Sequence, residues 1–301
     1  MKKSILLIAV LLITFSCATK KTRNKNPHAP AQDQYWNDLT DESRDAKARI
    51  IDVVEENNPA LFNEILLDSK DPVLTMFWGK STNFDSGAKK EIVDQQIIKE
   101  LQALFNIKND NKIVHAGIMH TYGYLFSTID TPYGYKRKRW IAPTLNKGFG
   151  LAGNSLSPDT IEGGLLSNVT YFTGTIVLKD KTQIGLLKNV SNELFTYDYS
   201  KLEVDRLEES TKDYTIVTSL VKLPNKVEND DNTHLLIYSI EDKRIQKEFL
   251  ITAFPINTEA YKKIVAPEML GPNQKINLRY NAYLEGSEKN NIGTRKLVKK
   301  K

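Results

Sequence analysis

Residues 234–255, HLLIYSIEDKRIQKEFLITAFP, read as two strands and the turn between them. His234–Ile240 and Glu248–Pro255 are rich in β-branched and aromatic side chains, the composition that fits a pleated, half-buried surface. Between Ile240 and Phe249 lies the polar connection Glu241-Asp242-Lys243-Arg244, which predicts a hairpin. The same character extends outward to Thr170–Leu178, Thr182–Lys188, Tyr214–Leu223 and Ile276–Leu284, all read as strands. Glu228-Asn229-Asp230-Asp231-Asn232 is a surface loop, and Asn257 to Val265 has the length of one short helix.

Upstream the period changes. Ala46, Ile50, Val53 and Val54 fall on one face at helical spacing, with Thr40 or Asp41 as cap and Pro59 as terminator. Val93, Ile97, Leu101, Leu104 and Phe105 form a second apolar stripe, on a helix capped at Asp85 or Ser86 and running to about Ile107. Val73 to Trp78 (VLTMFW) is a candidate buried strand. Helices first and strands later predict the α+β class: N-terminal helices followed by a mainly antiparallel β-sheet, as a sandwich or half-barrel. Residues 35–290 are read as a single globular domain, with a sub-boundary near 110 or 165 as the alternative. Residues 291–301 are read as a basic tail.

The first residues have another pattern. Lys2 and Lys3 precede an apolar run from Ile5 to Ile13, and small Ser16 stands before Cys17, the only cysteine in the chain. At 1.5 Å per residue the run is too short to cross a bilayer of roughly 30 Å and has the length of a signal-peptide core. This resembles the lipobox of bacterial lipoproteins, although Thr14 stands where that pattern usually has Leu. The resemblance covers residues 1–17. It implies that residues 1–16 are removed, that Cys17 carries lipid, and that the membrane is a partner through that lipid. Ala18, with no Asp there, points by the same analogy to the outer membrane. Residues 18–34 are polar, contain Pro27 and Pro30, and read as a flexible tether.

The formal net charge is +5, too small to argue for nucleic acid. Basic residues cluster at Lys20–Lys25 and at Lys296–Lys301. Near an anionic leaflet such charges attract, and otherwise they are solvated ends.

Ionisable and aromatic groups are densest from His115 to Gly153. His120, Tyr124 and Arg137 form the candidate catalytic trio: a neutral His takes a proton, a Tyr returns one, and an Arg neutralises a carboxylate. That chemistry suits β-elimination on an acidic sugar. Tyr122, Tyr133, Tyr135, Lys136, Arg139 and Trp140 are the candidate ligand-binding residues, with rings for stacking and cations for carboxylate, sulfate or phosphate. The expected partner is an acidic glycan or another envelope component. A bland alternative makes Lys136–Arg139 a solvated strand edge. His115 and His120 are five apart, a poor spacing for one metal on a helix or a strand, so no metal is expected. Gly148-Phe149-Gly150-Leu151-Ala152-Gly153 matches GxGxxG. Pro143 before it and Ser157-Pro158 after it exclude a strand–turn–helix setting. It is read as a flexible loop, a candidate lid, and no cofactor is expected.

Overall fold

In the computed structural model the described residues are 50–57, 59–77, 84–85, 90–91, 95–107, 113–114, 144–151, 155–156, 163–210, 212–265, 283–284 and 295–299. The fold is α+β. Its helical part comprises α1 (Ile50–Asn57), α2 (Pro59–Ser69), α3 (Pro72–Phe77), α4 (Gln95–Leu104), α5 (Thr144–Phe149), α6 (Leu165–Val177) and α7 (Asn192–Thr196). Two-residue ladders pair β1 (Phe84–Asp85) with β2 (Lys90–Glu91), and β3 (Ile113–Val114) with β8 (Tyr283–Leu284).

The main sheet contains β4 (Val204–Ser210), β5 (Tyr214–Lys222), β6 (Asn232–Asp242), β7 (Lys247–Asn257) and β9 (Arg295–Lys299). It is open and antiparallel throughout, in the order β7-β6-β5-β4-β9. A further helix, α8 (Thr258–Val265), follows β7 directly.

Strand alternation sorts the sheet into two apolar faces. On one, Val221, Leu235, Ile237, Leu250 and Ala253 join the core built by α1, α2, α4, α5 and α6. On the other, Leu207, Leu220, Leu236, Tyr238, Ile240 and Ile256 are buried with Ile264 of α8. The helices therefore cover one face with several elements, and α8 packs on the other.

Helix α6 is the centre of the helical layer. Ten of its thirteen residues are buried, so it shows no apolar stripe. That explains why the sequence pattern of Thr170–Leu178 reads as a buried strand, whereas the structure makes it helix. Thr173 is satisfied inside the helix by donating to the Val169 carbonyl at 2.6 Å. Phe172 packs edge-on against Phe149, with ring centroids 4.9 Å apart.

The start of α6 is held by another helix. Gly164 occupies the N-cap and has no side chain to offer. The Asp68 carboxylate at the end of α2 supplies the cap across the chain. It accepts from the Leu166 amide at 2.7 Å, and from the Ser167 amide and hydroxyl at 3.0 Å each. A Cβ on Gly164 would lie 2.0 Å from Asp68 Oδ1, so only glycine admits this cap. Gly163 has φ +84°, and its Cβ would meet the Asn189 carbonyl at 2.5 Å. The segment 187–191 then straps the two helices. The Lys188 amide donates to Asp71 Oδ2, Asn189 Nδ2 to the Leu67 carbonyl, and the Ser191 amide to Asn168 Oδ1.

Other expectations are revised. Thr182–Lys188 is not a strand but a loop with one 3-10 turn, Ile184–Leu186. Pro72–Phe77 is a helix, because Asp71 caps the Val73 amide at 3.0 Å and Pro72 stands at its first position. Val204–Ser210, not foreseen, is a strand. Within the segment read as a solvated basic end, Arg295–Lys299 pairs with β4 as the edge strand. Gly150, in the segment read as a lid, ends α5 in a left-handed cap. Its amide donates to the Lys147 carbonyl and the Leu151 amide to the Asn146 carbonyl, a Schellman pair with Leu151 buried beneath it.

Replacing Asp68 by Ala leaves two helix-terminal amides and a hydroxyl buried without a partner. Asp68→Ala and Gly164→Ala are each expected to cost about 2–4 kcal/mol. Thermal denaturation should show this as a fall in Tm of about 4–16 °C. Lys201→Ala removes only an exposed pair with Asp198 and should shift Tm by less than about 2 °C.

Candidate functional site

The candidate residues His120, Tyr122, Tyr124, Tyr133, Tyr135, Lys136, Arg137, Arg139 and Trp140 lie outside the described residues, as does Cys17. In the chain they are bracketed by β3, which ends at Val114, and α5, which begins at Thr144. The far bracket is firmly seated. A Cβ on Gly148 would touch Leu223 at 3.0 Å, and the Asn225 amide donates to the Gly148 carbonyl at 2.9 Å.

Among the described residues, ionisable chemistry gathers in three places. The first lies on the helix-facing side of the sheet, where Arg206 of β4 reaches across to β7. Its Nε donates to Glu208 at 2.8 Å, Nη2 to Glu248 at 3.5 Å, and Nη1 to the Val177 carbonyl at 3.4 Å. The last contact places a cation at the C-terminus of α6, where the helix dipole favours it. Ser239 Oγ also donates to Glu248 Oε1. Burial raises the Glu248 carboxyl above its ordinary range, and the Ser239 bond and the Arg206 charge oppose that rise. Glu248 Oε2 and Ser219 Oγ are buried without a partner. A carboxyl in this state can take up and release a proton, yet Ser239 and Ser219 are each 1% exposed. The arrangement joins α6 to the sheet.

The second cluster docks α8 on the opposite face. Tyr261 stacks flat on His234, centroids 3.9 Å apart, and donates to Asp205 Oδ2 at 2.6 Å. That bond and burial push the Tyr261 hydroxyl up to about 12. Thr258 donates to Thr233 Oγ1, which lies 2.9 Å from His234 Nδ1. The two threonine hydroxyls thus tie the start of α8 to the His234 ring. Burial lowers the His234 pKa, and Asp205 opposes the fall. The ring is therefore neutral near pH 7.

The third is Glu64, one helical turn before Asp68 on α2. Burial, and then the charge of Asp68, push its carboxyl up to about 7, and its Oε2 has no partner. It is the described carboxyl best poised to exchange a proton near neutrality.

Among the described residues no group of three His, Cys, Asp or Glu could hold a metal ion, and no helix is long and apolar enough to cross a membrane. The sequon Asn168-Val169-Thr170 is sealed inside α6, with Asn168 fully buried. Comparison with family models, curated proteins and solved structures finds no match for this chain.

Sequence reasoning passed over Arg206, Glu248 and Tyr261. One signal was available: Glu248 opens an otherwise apolar strand, a position an acid holds only with partners. The pairing of His234 with Tyr261 had no local signal, because it forms only when α8 folds back over β6.

Glu64 supplies a pH test. Its folded pKa of about 7 lies above the ordinary value, so its contribution is fully present below about pH 4.5. It is lost as pH rises through 7. Glu64→Gln should therefore match the parent protein near pH 4.5 and exceed it in Tm at pH 8. Equal pH profiles for the two proteins would show that Glu64 is not held protonated.

Proposed function

We propose that this chain is an envelope lipoprotein, anchored through Cys17 and facing the periplasm or the cell surface, whose domain binds an acidic, glycan-like polymer through residues 115–150. One observation carries the anchor: two lysines, an apolar run of signal-peptide length, and Ser16 before the single cysteine. Two or more acyl chains on that residue hold a protein stably, at about 0.8 kcal/mol per buried CH₂. The segment Lys136-Arg137-Lys138-Arg139-Trp140, with its neighbouring tyrosines, supports an anionic ligand: guanidinium groups grip carboxylate or sulfate, and rings stack on sugars.

Binding is preferred to turnover because the described clusters join elements to one another. Asp68 caps α6, Arg206 ties α6 to the sheet, and the His234–Tyr261 stack docks α8.

In cells, the parent chain should fractionate with membranes and incorporate labelled fatty acid. Cys17→Ser should do neither, and labelling that survives in Cys17→Ser would sink the anchor. For the ligand, a sulfated or uronate polysaccharide should raise Tm in a salt-sensitive way, by about 2.7 kcal/mol of stabilisation at 100 times Kd. The double change Lys136→Ala with Arg137→Ala should abolish that shift. Release of unsaturated uronate product that stops in His120→Ala would instead make the domain a lyase.

A further inference from the structure

One end of the main sheet brings together three connections. The β6–β7 loop, residues 243–246, lies beside the turn before β5, because the Lys243 amide donates to the Asp213 carbonyl at 2.8 Å. The segment leaving α6 joins them through Lys179, whose Nζ lies 3.0 Å from Glu241. Thr182 holds the neighbouring Asp180 carboxyl below its usual range, and the charge of Lys247 adds to that effect. The 3-10 turn Ile184–Leu186 belongs to the same end, since Ile184 packs against Gly174 near the end of α6.

This end presents apolar side chains to solvent. Ile245 is 61% exposed and Leu186 58% exposed, two of the three exposed large hydrophobic residues among those described. Ile245 stands at the hairpin tip within Lys243-Arg244-Ile245-Gln246-Lys247. The tip is braced. Arg244 donates through its backbone amide and its Nε to Asp242 Oδ1, and through Nη2 to the Tyr214 hydroxyl; Gln246 takes φ +53°. Lys181 and Lys212 add exposed cations to either side.

Lys179 and Arg244 are paired with Glu241 and Asp242, and Asp180 and Asp213 stand at the same end; with Lys181, Lys212, Lys243 and Lys247 counted, cations outnumber acids around the exposed aliphatic tip, which suits an anionic bilayer, where the chain enters the acyl boundary and the cations meet headgroups. We infer that this end, with Ile245 at its tip, docks on an anionic lipid surface. The inference rests on the lipoprotein reading. An anchored domain thus stays within reach of the bilayer, and a contact weak in solution is populated at that effective concentration.

The test uses the mature chain from residue 17 with Cys17→Ser, so that no lipid contributes. It is co-sedimented at low salt with phosphatidylcholine vesicles and with mixed phosphatidylcholine–phosphatidylglycerol vesicles. Binding is expected to the mixed vesicles only, and to weaken as salt screens it. Lys181→Ala and Lys212→Ala should each weaken it about five-fold, and Ile245→Ser about ten-fold. Lys201→Ala, beyond the opposite end of β4, should leave it unchanged. All these side chains are exposed, so unchanged melting curves are expected to accompany the losses. Absence of binding to both vesicles, equal binding to both, or an equal loss in Lys201→Ala would overturn the proposal. Membrane fractionation of the Cys17 chain, with no vesicle binding by the lipid-free chain, would refute the docking and leave the anchor standing. Vesicle binding, together with fatty-acid labelling that survives in Cys17→Ser, would refute the anchor instead.

Discussion

The helical layer depends on one carboxylate. Asp68 ends α2 and caps α6, and it does so from a position with no exposure to water. A buried charge is costly unless each oxygen finds donors. Here both do: one accepts from the Leu166 amide, the other from Ser167 twice. The exchange is mutual, because α6 needs acceptors for its first amides and Asp68 needs donors for its charge. Gly164 makes the approach sterically open. With α6 fixed at that end, Phe172 meets Phe149 and the aromatic pair Tyr197 and Tyr199, and Gly174 lets Ile184 close against the other end.

At its other end α6 meets a second charge, one largely withdrawn from water. Arg206 lies under the Val177 carbonyl and reaches Glu248 on β7. The helix is therefore bracketed by an anion at its start and a cation at its end, both contributed by other elements and both aligned with its dipole. Such pairs do not stabilise strongly in net terms, since desolvation offsets the attraction. Their effect is positional: few other placements of α6 on the sheet would satisfy Asp68 and Arg206 together.

This division also explains what could be read from residues alone. The hairpin of β6 and β7, the strand β5 and the helix α8 are coded locally, by runs of β-branched residues, a polar turn and a short amphipathic segment. Helix α6 is not, because its cap lies about a hundred residues away and its faces are nearly all buried, which erases periodicity. Asp71-Pro72 was a local helix start outweighed by the apolar run after it. The polar clusters had weaker marks still: Glu248 stands near the start of an otherwise apolar strand, whereas Tyr261 and His234 meet only in the folded chain. The densest candidate segment, His115 to Trp140, is conspicuous in composition and lies outside the described residues.

The pairing of β4 with β9 has a consequence in time. Asp205 bonds opposite Lys299, so β4 leaves the ribosome well before its partner. At about 5–20 residues per second, that interval is on the order of 5–20 s. Throughout it, β4 can pair with β5 but presents an open edge to any other strand it meets. Its sequence, VDRLEES, carries four charges in seven residues, the composition that discourages unintended strand addition. Arg206 and Glu208 thus serve two periods in the life of the molecule. They first keep an unpaired edge from joining another chain, and later draw the helix onto the finished sheet.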